Sequence, residues 1–217
     1  MTATRIKICG ITREEDARAA ADAGADAIGM VFYEPSPRNL SCQRAVQVAD
    51  AVAPFVTLVG LFVDADAAVV RQTLRDVPLD VLQFQGSESP EYCAQFERPW
   101  VKALHVRPGA RLEADAERYR AARALLLDSW QEGVPGGTGR TFDWSLAPAR
   151  LPRPLVLAGG LDADNVGAAI LGLRPAAVDV SSGVERSPGL KDARAIGQFV
   201  AAVRAADETM RQRQDDE

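Results

Sequence analysis

The chain has 217 residues, of which 47% are hydrophobic and 25% charged, a composition typical of a globular protein with a buried core. Its formal net charge is −5 and it contains no block of Lys and Arg, which argues against a nucleic-acid-binding protein. With three widely spaced cysteines and one histidine, neither a disulfide framework nor a zinc site is expected.

The sequence carries no recognisable membrane or secretion signal. An apolar signal-peptide core is not found near the N-terminus, and no run approaches the ~18–20 apolar residues of a membrane-spanning helix. The cysteine pattern fits a reducing compartment, so we expect a cytoplasmic protein with no membrane partner. We expect one domain over residues 1–206, followed by a frayed polar tail over residues 207–217.

Eight short runs of β-branched or apolar residues are predicted strands. In chain order they are residues 5–9, 27–32, 57–63, 81–84, 101–106, 124–128, 155–158 and 177–180. Ala-rich stretches between them carry helix signals. Thr12 and Glu15 form a capping-box pattern before the first helix, and Gly24 is suited to end it. Further N-cap candidates precede the later helices: Ser41, Asp64 or Asp66, Ser89 and Asp192.

The alternation of strands and helices predicts the fold class. Parallel strands joined by right-handed helical crossovers form a parallel sheet, and eight such units close into a single (β/α)8 TIM barrel of the α/β class. An open, doubly wound sheet is the alternative. It fits less well, because no GxGxxG pattern follows the first strand.

In a barrel of this kind the active site lies at the carboxyl ends of the strands, so the residues that follow each strand are the candidates. Glycine-rich turns follow the last three predicted strands, where backbone N–H groups can approach an anion closely. We predict that they bind a phosphate; the alternative is that the glycines only make tight turns. The candidates are Gly137, Thr138, Gly139, Gly159, Gly160, Ser182 and Gly183.

Cys9 and Asp128 each end a predicted strand, on well-separated sides of the barrel. A thiol and a carboxyl that face each other across a small ligand can act as a base and an acid. Taken singly, Cys9 could be a buried structural thiol and Asp128 a capping carboxylate. Arg38 follows two prolines in a loop and could bind a carboxylate, or be a solvated surface residue.

Six segments together resemble the phosphoribosylanthranilate isomerase family. They are "KICGIT" at 7–12, "SPR" at 36–38, "LLLDS" at 125–129, "GGTG" with "FDW" at 136–144, "LAGGL" at 157–161 and "DVSSGVE" at 179–185. The family is a (β/α)8 barrel of tryptophan biosynthesis. It converts N-(5-phosphoribosyl)anthranilate to 1-(o-carboxyphenylamino)-1-deoxyribulose 5-phosphate in an Amadori rearrangement, an aldose–ketose isomerisation that needs no cofactor and no metal.

The resemblance implies a role for each candidate residue. Cys9 corresponds to the general base and Asp128 to the general acid. Arg38 falls where the family binds the anthranilate carboxylate, and the glycine-rich turns fall where it holds the phosphate. Asp179 matches a position near the amine of the substrate.

One position departs from the family pattern, which commonly reads QLHG after the fourth strand. This chain has Gln83-Phe84-Gln85-Gly86 there. Because glutamine cannot titrate near neutrality as histidine can, we interpret the position as one without an essential proton role; the alternative is that this enzyme differs there. His105 is interpreted as a packed or rim histidine, and Cys42 and Cys93 as core residues of helices.

Two other functions remain as alternatives. A related sugar isomerase of histidine biosynthesis, or a bifunctional enzyme, would share the fold, but that family has an aspartate where this chain has Cys9. A barrel that binds a sugar phosphate as a sensor would need no acid–base pair.

Overall fold

The computed structural model describes residues 3–107, 109–129, 143–148 and 150–215. Eight parallel strands pair in chain order, and the last pairs with the first to close a barrel. The predicted fold class is therefore confirmed. The strands are β1 (Arg5–Cys9), β2 (Ala27–Phe32), β3 (Thr57–Phe62), β4 (Val81–Phe84), β5 (Trp100–Val106), β6 (Ala124–Ser129), β7 (Leu155–Leu157) and β8 (Ala177–Val180).

Helices surround the barrel. They are α1 (Glu14–Ala23), α2 (Cys42–Asp50), α3 (Ala67–Asp76), α4 (Pro90–Ala94), α5 (Leu112–Arg118), α6 (Val166–Leu173) and α7 (Ala193–Asp215). Within the described ranges, the segment between β6 and β7 contains only a 3₁₀ turn, Trp144–Leu146. After β8 the chain forms a second 3₁₀ turn, Ser182–Val184, and a short antiparallel hairpin of β9 (Glu185–Ser187) and β10 (Leu190–Lys191).

Most of the predicted helix signals act as expected. The Ser41 and Ser89 side chains accept hydrogen bonds from backbone N–H groups in the first turns of α2 and α4, and Asp192 does so for α7. Gly24 ends α1 with a left-handed φ of 97°. The prediction of a capping box is wrong, because the Thr12 hydroxyl donates to the carbonyl of Gly189 in the β9–β10 turn.

The expected frayed tail is also wrong for the residues that α7 includes. The helix continues past Ala206 to Asp215. Asp207 is buried, and its carboxylate accepts hydrogen bonds from the backbone N–H of Thr4 at 3.0 Å and from the Thr4 hydroxyl at 2.6 Å. Met210 is buried as well, so the apolar side of the helix extends beyond residue 206. No helix in the described ranges is long and apolar enough to cross a bilayer.

The alternation of side chains along each strand separates two environments. In β1, Ile6 and Ile8 face outward into the main core, which also contains helix residues such as Ala17. Lys7 and Cys9 alternate with them and share the opposite side, toward the barrel interior. Polar side chains near the carboxyl ends of the strands are thereby collected at one end of the barrel.

Candidate active site

A cavity of about 400 Å³ opens at the carboxyl ends of the strands. This size is in the usual range for a small-molecule site. The cavity brings together most of the residues predicted from the sequence. Those that line it are Cys9, Arg38, Asp128, Gly159, Gly160, Asp179 and Ser182.

The glycine-rich turns after β7 and β8 lie against each other. A Cβ atom on Gly159, whose φ is 85°, would lie 2.5 Å from the backbone nitrogen of Ser129, and one on Gly183 would overlap the carbonyl of Leu161. Gly183 therefore allows the turn after β8 to approach the turn after β7, and Gly159 allows the turn after β7 to approach the end of β6. The phosphate role stays a prediction. The third turn, with Gly137, Thr138 and Gly139, lies outside the described residues.

Lys7 forms a buried ion pair with Asp179. The two are register partners of β1 and β8, and Lys7 Nζ lies 2.8 Å from Asp179 Oδ2. Burial lowers the pKa of Lys7, but Asp179 and the Cys9 thiol outweigh that effect, so this pKa lies above its ordinary value. Among the described residues Asp179 Oδ1 has no hydrogen-bond partner, although Asp179 lines the cavity. An unsatisfied buried oxygen of this kind is suited to accept a hydrogen bond from a ligand.

Cys9 lies beside the same lysine. A Cβ atom added to Gly29 would lie 2.7 Å from Cys9 Sγ and 3.1 Å from Lys7 Nζ. The thiol and the ammonium therefore border the same small space. Burial raises the pKa of the Cys9 thiol, the Lys7 ammonium lowers it, and the Asp179 carboxylate raises it again. The net shift is upward, so the resting thiol is protonated, with a cation next to it that can stabilise the thiolate.

Asp128 is only 6% exposed and has a strongly shifted acidity. Burial, with a smaller contribution from the Asp179 carboxylate, raises the pKa of Asp128 to about 7. A carboxyl that is still about half protonated near neutrality is suited to donate a proton. Its Oδ2 accepts a hydrogen bond of 2.7 Å from Gln85 Nε2, so the position that departs from the family pattern contacts the predicted acid directly.

Arg38 forms a bidentate ion pair with Glu185 and is not a solvated surface residue. Its Nε lies 2.8 Å from Glu185 Oε1 and its Nη2 lies 2.7 Å from Glu185 Oε2. Lys191 Nζ donates to the same carboxylate at 2.8 Å and to the carbonyl of Ser181 at 3.0 Å. Although burial raises the pKa of Glu185, these cations hold it below its ordinary value. Of the residues in the described ranges, none occupies the opposite Nη1–Nη2 edge of Arg38, which is free to bind a second carboxylate.

The remaining sequence interpretations concern packing. Cys42 begins α2, and Cys93 is completely buried in α4. His105 is partly buried, and its Nε2 lies 3.1 Å from the carbonyl oxygen of Gln85. Burial lowers the pKa of His105. Across the described part of the chain, no three metal-ligating side chains come together.

The residues of the site that were not predicted from the sequence include Lys7, Gln83, Glu185 and Lys191. Lys7 could have been found, because residues two apart in a strand share a face and Cys9 was already a candidate. Gln83 could have been found in the same way, because it lies two residues before Gln85, which was already noted. Glu185 ends the "DVSSGVE" segment of the family resemblance and could have been found there. Lys191 carries no comparable signal, since the β9–β10 hairpin brings it to Glu185.

Comparison with known proteins agrees with this geometry. The family model of N-(5'-phosphoribosyl)anthranilate (PRA) isomerase matches residues 6–202. An N-(5'-phosphoribosyl)anthranilate isomerase of Pseudomonas putida is 57% identical over 206 residues, which cover 95% of this chain and 100% of the relative.

Two solved structures superpose on the barrel. The phosphoribosyl anthranilate isomerase of Thermotoga maritima has a TM-score of 0.86 and 40% identity, over 93% of this chain and 99% of that chain. Another structure of a phosphoribosyl anthranilate isomerase contains reduced 1-(o-carboxyphenylamino)-1-deoxyribulose 5-phosphate. It has a TM-score of 0.83 and 39% identity, over 93% of this chain and 99% of that chain. With a family model that covers most of its length and a relative more than half identical, the chain belongs to the N-(5'-phosphoribosyl)anthranilate isomerase family.

Proposed function

We propose that the chain isomerises N-(5-phosphoribosyl)anthranilate to 1-(o-carboxyphenylamino)-1-deoxyribulose 5-phosphate, a step of tryptophan biosynthesis, in the cytoplasm. The observation that carries the assignment is the pairing of a carboxyl of pKa about 7 with a thiol in one cavity. The membership of the chain in the isomerase family supports it.

Asp128 is the general acid of the first step. It donates its proton to the ring oxygen of the ribose as the bond between that oxygen and C1 breaks, and the lone pair of the amine forms a C=N bond. The nitrogen becomes positively charged in this step. Asp179 Oδ1, which has no partner among the described residues, would accept the N–H hydrogen bond and stabilise that charge.

Cys9 is the general base of the second step. The thiolate removes the proton from C2, and the electron pair of that C–H bond forms a C1=C2 double bond. The C=N double bond becomes a single bond as its π electrons move to the nitrogen. The resulting enolamine becomes the ketone when its hydroxyl loses a proton and C1 gains one. The ammonium of Lys7 stabilises the thiolate before the transfer.

The overall reaction oxidises C2 and reduces C1 of the same molecule. This balance makes the enzyme an aldose–ketose isomerase, an intramolecular oxidoreductase that consumes no external oxidant. General acid and base catalysis contributes about 10²–10⁴-fold for each group. The remainder comes from holding both ends of the substrate, with Arg38 on the anthranilate carboxylate and the glycine-rich turns on the phosphate.

A turnover assay tests this function. We expect the fluorescence of phosphoribosylanthranilate to disappear when the purified chain is added. The sugar-phosphate substrate of the related histidine-pathway isomerase, assayed in parallel, separates a bifunctional enzyme from a specific one. Binding without turnover would favour the sensor alternative and contradict the proposal.

The acidities of the two groups predict an unusual pH profile. The active form needs Asp128 protonated and Cys9 ionised, although the pKa of Asp128 is about 7 and that of Cys9 lies above its ordinary value. Below about pH 7 the acid is protonated and the fraction of Cys9 present as thiolate increases with pH, so kcat/KM rises about tenfold per pH unit. Above that pH, loss of the acid offsets the gain of thiolate, and kcat/KM becomes flat until the thiol itself is titrated.

Alkylation provides an independent measurement of the thiol. The rate at which iodoacetamide modifies the peptide that contains Cys9, followed by mass spectrometry, reports the thiolate alone. We expect this rate to increase with pH without a break near pH 7 and to keep increasing beyond pH 8. A plateau below pH 8 would show that the thiol is the more acidic of the two groups, which contradicts the predicted order.

Arg38→Ala should weaken the binding of the anthranilate end. A charge-assisted hydrogen bond is worth about 1.5–3 kcal/mol, so we expect KM to rise about tenfold or more. Inhibition by inorganic phosphate should not change. Arg44→Ala is the matched control, because Arg44 also pairs with a glutamate, Glu14, but does so on the surface. An equal loss of phosphate affinity in Arg38→Ala would make Arg38 a phosphate ligand instead.

A further inference from the structure

The amide of Gln85 holds the carboxyl of Asp128. Gln85 follows β4 and Asp128 lies in β6, and their side chains meet through the hydrogen bond of 2.7 Å between Nε2 and Oδ2. The two residues are 2% and 6% exposed. Because water has little access to a bond this deeply buried, it keeps the carboxyl in one orientation.

A second glutamine bonds to the other end of the Gln85 amide. Gln83, two residues earlier on the same face of the strand, donates from its Nε2 to Gln85 Oε1 at 2.9 Å. Since this bond occupies the carbonyl oxygen, Gln85 presents its NH₂ group to Asp128. The backbone of Gln85 is held as well, by its N–H bond of 2.9 Å to the carbonyl of Phe62.

The direction of these bonds matters for proton transfer. An amide NH₂ group only donates, so a protonated Asp128 cannot give its proton to Gln85. If the amide were reversed, its carbonyl oxygen would accept the proton of the acid and hold it away from the substrate. In the observed arrangement the proton of Asp128 must lie off this bond, and Asp128 lines the cavity.

We propose that Gln85, oriented by Gln83, is a positioning residue that holds Asp128 by one oxygen and leaves the proton of the acid available to the substrate. The inference deepens the proposed function and rests on the role of Asp128 as the general acid. Neither glutamine takes part in proton transfer.

The neighbours of Asp128 give the expected direction of change. Burial and the Asp179 carboxylate on β8 raise the pKa of Asp128, whereas the Ser129 N–H, the Gln85 amide and the Lys7 ammonium on β1 lower it. On β5, the register partner of Asp128 is His105, whose ring contacts the Gln85 carbonyl rather than the acid. Loss of the amide donor therefore raises the pKa of Asp128 above about 7.

The variant Gln85→Leu tests the inference, since leucine has a similar volume but no donor. We expect the break near pH 7 in the kcat/KM profile to move upward by about one pH unit. We also expect kcat to fall about tenfold, because the carboxyl loses its fixed orientation. Ionisation of the substrate's own phosphate would affect every variant equally and so cannot produce this shift.

Two further variants separate positioning from packing. Gln85→Glu keeps the shape but replaces the donor with an oxygen that can accept the proton of the acid, so kcat should fall and the break should again move upward. Gln83→Leu frees the Gln85 amide to reverse without touching Asp128, and should lower kcat less. Gln72→Leu is the matched control: Gln72 Nε2 also donates to an aspartate, Asp76, at 2.8 Å, but on the exposed helix α3.

The outcomes distinguish this inference from the proposed function. If Asp128→Asn keeps its kcat, the acid role is wrong and the inference fails with it. If Asp128→Asn loses activity while a folded Gln85→Leu keeps both its kcat and its break near pH 7, only the inference is wrong. A lower kcat with an unmoved break would indicate a purely structural role, which also overturns it. Should Gln85→Leu not fold, Gln85→Glu and Gln83→Leu decide by the same criteria.

Discussion

The variant Cys9→Ser is expected to lose at least about 100-fold in kcat while its affinity for substrate stays within a few fold. Serine has almost the shape of cysteine, so the cavity is retained. Its hydroxyl is far less acidic than a thiol, so the alkoxide is hardly ever present unless an adjacent base removes the proton. The ammonium of Lys7 lowers the pKa of the Cys9 thiol against the effect of burial, but it cannot ionise an alcohol near neutrality.

The other two cysteines are the controls for this experiment. Cys42→Ser and Cys93→Ser should leave kcat unchanged, because both residues lie in helices outside the cavity. Iodoacetamide should inactivate the wild-type enzyme by modifying Cys9, and product should protect it, since Cys9 lines the cavity that we propose binds the product. Normal turnover by Cys9→Ser would exclude this thiol as the base.

The variant Asp128→Asn is expected to lose about 100-fold or more in kcat, with little change in KM. Asparagine keeps the size of the side chain but has no acidic proton to give to the ring oxygen. The loss should be present at every pH, because a neutral amide does not titrate. Steady-state kinetics from about pH 5 to about pH 10 would measure both effects.

A carboxylate at the opposite end of the barrel is the matched control. Asp80 precedes β4 and accepts a hydrogen bond of 2.8 Å from the backbone N–H of Leu58. Asp80→Asn should lower the Tm by weakening this bond and leave kcat unchanged. If Asp128→Asn behaved in the same way, with a lower Tm and a normal kcat, Asp128 would be a structural carboxylate and the ring would have to be opened by another group.

Local patterns in the sequence determined the barrel and the residues at its active end. Alternating strand and helix signals predicted all eight strands to within about two residues, because each element is specified by side chains close together in the chain. The end of each strand then placed Cys9, Asp128 and Asp179 at one cavity, since parallel strands of a barrel end on the same side. Resemblance to a known family added their roles.

The errors of local prediction have a long-range cause. Thr12 has the spacing of a cap, but its hydroxyl bonds to Gly189, which is 177 residues away in the sequence. The polar composition after residue 206 suggested a tail, yet Asp207 bonds to Thr4 at the start of the barrel. In both cases a partner brought close only by folding satisfies a polar group that the local pattern assigned elsewhere.

Acidity and orientation at the site were decided by the tertiary structure alone. Closure of the barrel pairs Lys7 with Asp179, 172 residues apart, and brings Gln85 to Asp128, 43 residues away. Burial at these contacts raises the pKa of Asp128 to about 7, whereas a sequence contains only a carboxyl of ordinary acidity. The sequence by itself thus determined which chemical groups meet at the cavity. Only the folded chain determined how far each is removed from water and which charge lies beside it, and those two quantities set its pKa.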